Sequence, residues 1–333
     1  MTFTIIGAGL QTTVQDLGRP AHQRAAIPAG GAMDRLAARA ANLLIGNDEY
    51  AALLETTLIG PTIHFHEETL IGLTGGDLTA SLDGHPLRSW RAMLVPADSV
   101  LRFGQPTTGC RTYVAIAGGI DVPLVFGSRS TYLRANFGGL EGRALRAGDT
   151  LHTLPNASTN RAMAATIAAS SSRIARWSLG ATLRPHYSDR VEVRVVEAAH
   201  TKRLSPDSRA KLSGPFRVSA SSDRMGYRLE GTALELRAPI ELMSEGVAFG
   251  TVQLPPGGAP IVLMADRQTT GGYPRIAEVA SVDLPLIAQL KPGDSVAFRI
   301  ISLAEAQRLY LVQEAELAQA RAGLTLRFSH REK

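Results

Sequence analysis

Between Ala265 and Pro274 the chain carries Asp266, Arg267, Gln268, Thr269, Thr270 and Tyr273, with Gly271 and Gly272 among them. An acid, a guanidinium, an amide, two hydroxyls and a phenol would each need a partner if buried in a core. Placed together after the apolar run Ile261–Met264, they read as the wall of a polar small-molecule pocket. The two glycines permit close ligand approach or backbone angles that other residues resist. Two further clusters precede this run. Ser221 to Leu229 contains Asp223 and Arg224, and Ser244 to Gly258 contains Glu245 and Gln253. The carboxylates could relay a proton or hold Arg224 and Arg267 in place. For Asp223 and Asp266, each next to an arginine in sequence, the ion-pair role is preferred.

Other chemistries fit less well. Gly7-Ala8-Gly9-Leu10-Gln11-Thr12 has Thr12 where a dinucleotide fingerprint needs its third glycine, and Gly18-Arg19-Pro20 breaks any following helix. There is no Gly-x-Ser-x-Gly elbow and no phosphate-cradling P-loop. Lys202, Lys211 and Lys291 lie outside the three clusters, which argues against lysine-nucleophile chemistry. His64 and His66 are two apart on a strand-like segment and could share a metal. No third ligand stands near them in sequence, while zinc sites take three or four, so the expectation is no metal.

The elements that must position these clusters are mostly strands. Thr62–His66, Thr112–Ile116 and Val191–Val195 alternate with period two. The phrases Pro96-Ala97-Asp98-Ser99, Ala147-Gly148-Asp149-Thr150 and Pro292-Gly293-Asp294-Ser295 read as one recurring turn into a strand. Many short strands with such turns predict closed or sandwiched antiparallel sheets. A helix is predicted from Asp34 to Ile45, ending at Gly46. A second starts at a Ser302–Glu305 capping pattern and runs to Gly323. Asn156–Pro185, rich in Ala, Ser and Arg, reads as a boundary.

At 333 residues the chain is long enough for two domains. Its 44% hydrophobic content fits a globular protein, and no stretch approaches the ~20 apolar residues that span a bilayer. The start, Met1–Ile6, reads as a strand and not a signal peptide. The single cysteine, Cys110, excludes an internal disulfide and suits the cytoplasm. A net charge of +5 would permit nucleic-acid binding. The basic residues are scattered arginines without interleaved aromatics, however, so neither a nucleic-acid nor a membrane partner is expected.

The longer strings carry a resemblance. Gly9–Pro20, Gly31-Ala32-Met33-Asp34, Ala41–Asn47, Leu54-Glu55, Gly118–Pro123, Gly127–Thr131, Phe137-Gly138-Gly139 and Gly142-Arg143, with the three polar clusters, resemble the biotin-dependent carboxyltransferase family. That family includes the C-type subunit of bacterial 5-oxoprolinase, the KipA proteins, the allophanate-hydrolase subunit 2 proteins and the carboxyltransferase part of urea carboxylase. The resemblance implies a mainly β fold with few helices and two β-rich halves. These would be 1–155, a linker at 156–185, and 186–333 as a cyclophilin-like barrel with the terminal helix.

It also implies substrates with an N–C=O unit, whose transition states gather negative charge on oxygen. Arg267, Gln268, Thr269, Tyr273 and glycine N–H groups could stabilise that charge, with Glu245 as a further catalytic candidate. Asp223, Arg224, Gln253, Asp266, Thr270, Gly271 and Gly272 are then candidate substrate contacts. Asp16, Arg19, Met33 and Asp34 match family signatures and are expected to support the pocket or an interface. For Asp34, at a helix start, capping is at least as good a reading.

By the same resemblance, the expected function is the C-type subunit of an ATP-dependent 5-oxoprolinase-like complex, inactive alone and working with A- and B-type subunits. One alternative is a carboxyltransferase component served by a separate carboxybiotin protein. Another is a KipA-like binder of a regulatory protein. The chain lacks a Met-Lys-Met biotin-accepting sequence and any recognised ATP module. It is therefore expected to hold no cofactor of its own, with ATP used by the complex and biotin entering only in the carboxyltransferase alternative.

Overall fold

A computed structural model describes residues 1–328. Contacts group the chain into two compact units. One comprises Met1–Gly18, Asp34–Pro185 and the chain from Ala315 onward; the other comprises Arg19–Met33 and His186–Glu314.

The first unit holds two antiparallel sheets. One runs Thr150–His152, Thr2–Gly7, Thr62–Phe65, Val100–Arg102, Ser81–Leu82, His85–Pro86; the other runs Gln11–Gln15, Leu53–Thr57, Thr108–Ile116, Thr69–Asp77, Arg91–Val95. Alternation decides their faces: Phe3, Ile5, Ile63 and Phe65 enter a core shared with Val14, Leu54, Leu73 and Val114. Thr2, Thr4 and His64 face outward. Helix Arg35–Leu44 is capped by Asp34, whose carboxylate accepts from the Ala37 amide at 2.9 Å. Gly46 follows it at φ +77°, a conformation glycine adopts without penalty.

Residues 156–185 contain helix Ser158–Ala168 and the buried Trp177, whose indole N–H donates to the Leu44 carbonyl at 3.1 Å. The recurring turn is real in two of its three copies. Gly148 and Gly293 both sit at φ +93°, and the following Asp149 and Asp294 accept from the amides of Arg146 and Lys291 at 2.7 and 3.0 Å. In the third, Asp98 itself takes the left-handed position at φ +60°, and its carboxylate points instead toward His64.

The second unit is a closed seven-stranded barrel in the order Arg190–Val196, Arg275–Val279, Thr251–Gln253, Ile261–Leu263, Gly226–Glu230, Phe216–Val218, Ser295–Ile300. Closure joins the first and last of these in parallel; the other pairs are antiparallel. Val193, Phe216, Tyr227, Val252, Val262, Ile276 and Phe298 fill it, together with Met33 from the early segment. Glu245–Gly246 and Thr270–Gly271 form a separate small ladder. The mainly β fold with a barrel in the second half is thus the one expected.

The last helix runs Leu303–Phe328, with Ser302 accepting from the Glu305 amide at 3.1 Å. It does not stop at Gly323. A glycine inside a helix costs only about 1 kcal/mol relative to alanine, and the last turn is anchored by Phe328 against Trp177, ring centroids 4.8 Å apart. No helix among the described residues is long and apolar enough to cross a membrane.

Candidate functional site

Where the chain leaves strand Ile261–Leu263, Asp266 forms a two-pronged ion pair. Arg224 Nε and Nη2 donate to its carboxylate at 2.8 and 3.1 Å, both side chains being buried. The Asp266 amide donates back to the Arg224 carbonyl at 2.8 Å, and Arg224 Nη2 also reaches the Gly31 carbonyl at 2.7 Å. Arg19, 2% exposed, completes this cluster. A Cβ on Gly30 would lie 3.2 Å from Arg19 Nη1 and 3.6 Å from Asp266 Oδ1, so both flank the Gly30-Gly31 turn. Gly30 and Gly31 have φ of +61° and +90°, which explains the pair of glycines. Asp266 therefore serves Arg224, not its sequence neighbour Arg267. Asp223 departs from the ion-pair expectation: it is exposed and accepts from the Met225 and Gly226 amides at 2.8 and 3.2 Å, shaping a turn.

Arg267 is buried with its guanidinium donating to the Val247 and Met264 carbonyls at 3.4 and 3.5 Å, 5.9 Å from the Phe249 ring. The Thr269 carbonyl accepts from the Val247 amide at 3.1 Å, and the ladder pairs Glu245 with Gly271 and Gly246 with Thr270. These contacts bind the second and third clusters together. Gln268 and Thr269 are half-buried, while Thr270 and Gly272 are exposed. Tyr273, 47% exposed, turns elsewhere: with Gly272 it lines a groove of about 790 Å³ walled by Leu234, Leu236, Pro239, Leu242 and Pro256. The polar run does not converge on a single point.

A convergence does occur on the barrel wall beneath the small ladder. Thr251 and Gln253, two apart, share one face of their strand and are buried. Opposite them on the neighbouring strand stand Glu278 and Arg275, three apart, because the register shifts between Val252 and Gln253. That β-bulge turns both side chains to the same face. Thr201 supports it, since its hydroxyl donates to the carbonyl of Ile276 at 2.6 Å and accepts from the Ala198 amide at 2.8 Å. His200 adds two bonds to the Arg275 backbone, at 3.0 and 3.1 Å.

Thr251 Oγ1 donates to Glu278 Oε2 at 2.8 Å. Burial pushes the Glu278 carboxyl above the usual range; the Thr251 hydrogen bond, then the charges of Arg275 and Arg267, pull it down. Arg275 also pairs with Glu245 at 2.5 Å. Gln253 Nε2 is buried without a hydrogen-bond partner among the described residues, and a Cβ on Gly271 would come within 2.4 Å of it. Sequence reading found Gln253 and Gly271 but missed Glu278 and Arg275. Their signal was the bulge, and one-residue bulges leave no mark in an alternation pattern.

The remaining candidates have structural environments. Met33 is fully buried in the barrel core. Asp16 accepts from the Gly18 and Arg129 amides at 2.7 and 2.6 Å and from the hydroxyls of Ser128 and Ser130 at 2.7 and 2.5 Å, tying two signature segments together. The Asp34 amide donates to Tyr113 Oη at 2.7 Å, and Tyr113 donates to Glu55 at 2.9 Å. His64 and His66 do gain a neighbour with ligand chemistry: their ring nitrogens and an Asp98 oxygen lie within 4.8 Å of one another. That oxygen came from a distant turn, which sequence spacing could not reveal.

Residues 25–300 match the family model described as carboxyltransferase domain, subdomain A and B. The chain is 36% identical over 318 residues to the C-type subunit of 5-oxoprolinase from Haemophilus influenzae, covering 95% of this chain and 97% of that protein. It is 40% identical over 304 residues to the corresponding 5-oxoprolinase subunit from Escherichia coli, covering 91% and 92%. Among solved structures, urea amidolyase of Kluyveromyces lactis superposes with a TM-score of 0.86 at 28% identity. That match covers 96% of this chain but 20% of the larger one.

Proposed function

The chain belongs to the carboxyltransferase-domain family of subdomains A and B, and from that premise we propose that it is the C-type subunit of a 5-oxoprolinase, opening 5-oxoproline to L-glutamate at the expense of ATP. The observation that carries this reading is reciprocal length. Two C-type subunits of 5-oxoprolinase align with nearly the whole chain along nearly their whole lengths. Ring opening breaks the amide C–N bond, adds hydroxide to the carbonyl carbon and returns a proton to nitrogen. A site for it needs donors at the carbonyl oxygen and a group that handles the nitrogen's proton. The wall beneath the Glu245–Gly271 ladder offers both in Gln253 and Glu278.

Nucleotide handling is assigned to partner subunits of A and B type, since the sequence has no P-loop. The test is co-purification with those subunits, followed by assays of phosphate release and glutamate formation. The assembled complex should show both in response to 5-oxoproline, and the isolated chain neither. Turnover by the chain alone, or a complex indifferent to 5-oxoproline, would overturn the reading.

A second reading, carboxyl transfer from a separate carboxybiotin protein to urea, is favoured by the superposition on urea amidolyase. The ureido ring of biotin and urea itself present the same N–C=O unit to the same two side chains. Carboxyl transfer measured with carboxybiotin and urea, without 5-oxoproline turnover, would select it.

A further inference from the structure

A five-membered lactam holds its N–H and C=O on the same edge, as urea and the ureido ring of biotin also do. A linear secondary amide is trans and presents them on opposite sides. A receptor for the former needs one donor and one acceptor on a single protein face. A wall that provides them must leave those atoms uncommitted.

The bulged strand does. Gln253 is 1% exposed, and its Nε2 has no hydrogen-bond partner among the described residues, a costly state for a buried donor. On the adjacent strand, one Glu278 oxygen is fixed by Thr251, and the other makes no hydrogen bond among the described residues. Thr251 faces Glu278 directly and lies two residues from Gln253, a spacing of about 7 Å along a strand. Gln253 and Glu278 therefore stand on one face of two adjacent strands. Burial raises the Glu278 carboxyl above its ordinary range, the Thr251 hydrogen bond and the charges of Arg275 and Arg267 oppose that rise, and Glu245 is itself taken up by Arg275.

We propose that Gln253 and Glu278 together receive the cis N–C=O edge of the substrate, Gln253 Nε2 donating to the carbonyl oxygen and the Glu278 carboxylate accepting from the N–H. Gly271 is kept free of a side chain because a methyl there would displace the Gln253 carboxamide. The pair selects lactams and ureas over linear amides. For the identity of the substrate this rests on the reading above; for the donor–acceptor pair it does not.

The test uses the full chain in its complex. The KM for 5-oxoproline should rise about ten- to hundredfold in Gln253→Met, Gly271→Ala and Glu278→Ala. Glu278→Gln, whose amide oxygen can still accept, should recover part of the loss. Gly271→Ala separates this from misfolding, because Gly271 has an ordinary φ and both members of the pair remain.

N-methyl-5-oxoproline, a competitive probe lacking the N–H, should bind wild type about tenfold or more weakly than 5-oxoproline and should lose that disadvantage in Glu278→Ala. Turnover with unchanged KM in Gln253→Met and Glu278→Ala would overturn the pair while leaving the function standing. A complex that ignores 5-oxoproline would overturn the function, and urea and biotin would then serve as equilibrium-binding probes. Their weaker binding to the same variants would uphold the pair. Equal binding to all variants, or no binding by any of the three compounds, would overturn it.

Discussion

Glu278 and Arg275 face the same side of the barrel wall although they stand three positions apart on one strand. Regular pleating would send one of them inward. The extra residue in the bulge removes that conflict, and the hydroxyl of Thr201 takes up the carbonyl it frees at Ile276. The common face of these two side chains thus depends on a backbone irregularity held from behind by the Thr201 turn.

Thr201→Val should therefore act at a distance. It removes the bonds to Ile276 and Ala198, at an expected cost of about 1–3 kcal/mol. Catalysis should fall more than folding does, because the Glu278 and Arg275 side chains lose their common orientation. Denaturant unfolding compared with activity at a permissive temperature checks this; parallel losses would argue for a purely structural Thr201.

Glu278→Gln should stabilise the fold at neutral pH. Burial raises the native carboxyl's pKa above its unfolded value, so the folded chain holds the proton more tightly. Stability is then lost as pH rises from the unfolded value through the folded one, and none of this penalty is present below the unfolded value. The glutamine variant should melt higher at pH 7, with the gap closing toward pH 4. Thermal melts across that range decide it, and a gap that widens in acid would refute the assignment.

The Arg224–Asp266 pair should be worth more intact than either half. Arg224→Met or Asp266→Ala alone leaves a buried charge poorly matched, with an expected loss of about 3–5 kcal/mol. Replacing both by apolar residues should cost clearly less than the two single losses added together. A double-mutant cycle in urea measures this directly.

Tyr113→Phe should destabilise the first unit by about 1–3 kcal/mol, since the Asp34 amide loses an acceptor and Glu55 a donor. Substrate affinity should stay unchanged. The comparison of unfolding midpoint with KM tests both halves of the statement.

Local rules recovered what local rules control. Asp34 and Ser302 cap helices as their neighbours in sequence suggest, and Ile261–Leu263 delivers the polar run. What escaped them was partner choice across the chain. Asp266 took Arg224 over the adjacent Arg267 because strand pairing aligns the two backbones, as the amide–carbonyl bond between them shows. Asp223 was drawn to the nearest amides instead of an arginine. Asp98 came beside His64 only because its turn placed the left-handed residue one position late. Each depends on tertiary register, which residue types alone do not carry.

The early segment Arg19–Met33 belongs with the barrel, and its Gly31 carbonyl is bonded to Arg224, 193 residues later in the chain. During synthesis this segment emerges well before the barrel strands and must wait for its partner. Contacts so distant in sequence slow folding, because loop closure precedes any gain. A fragment beginning at His186 would inherit seven strands but not Met33, leaving a void in an otherwise filled barrel. Excising the barrel by cutting the chain once should yield a loosely packed product. A faithful excision would have to graft the early segment back onto it.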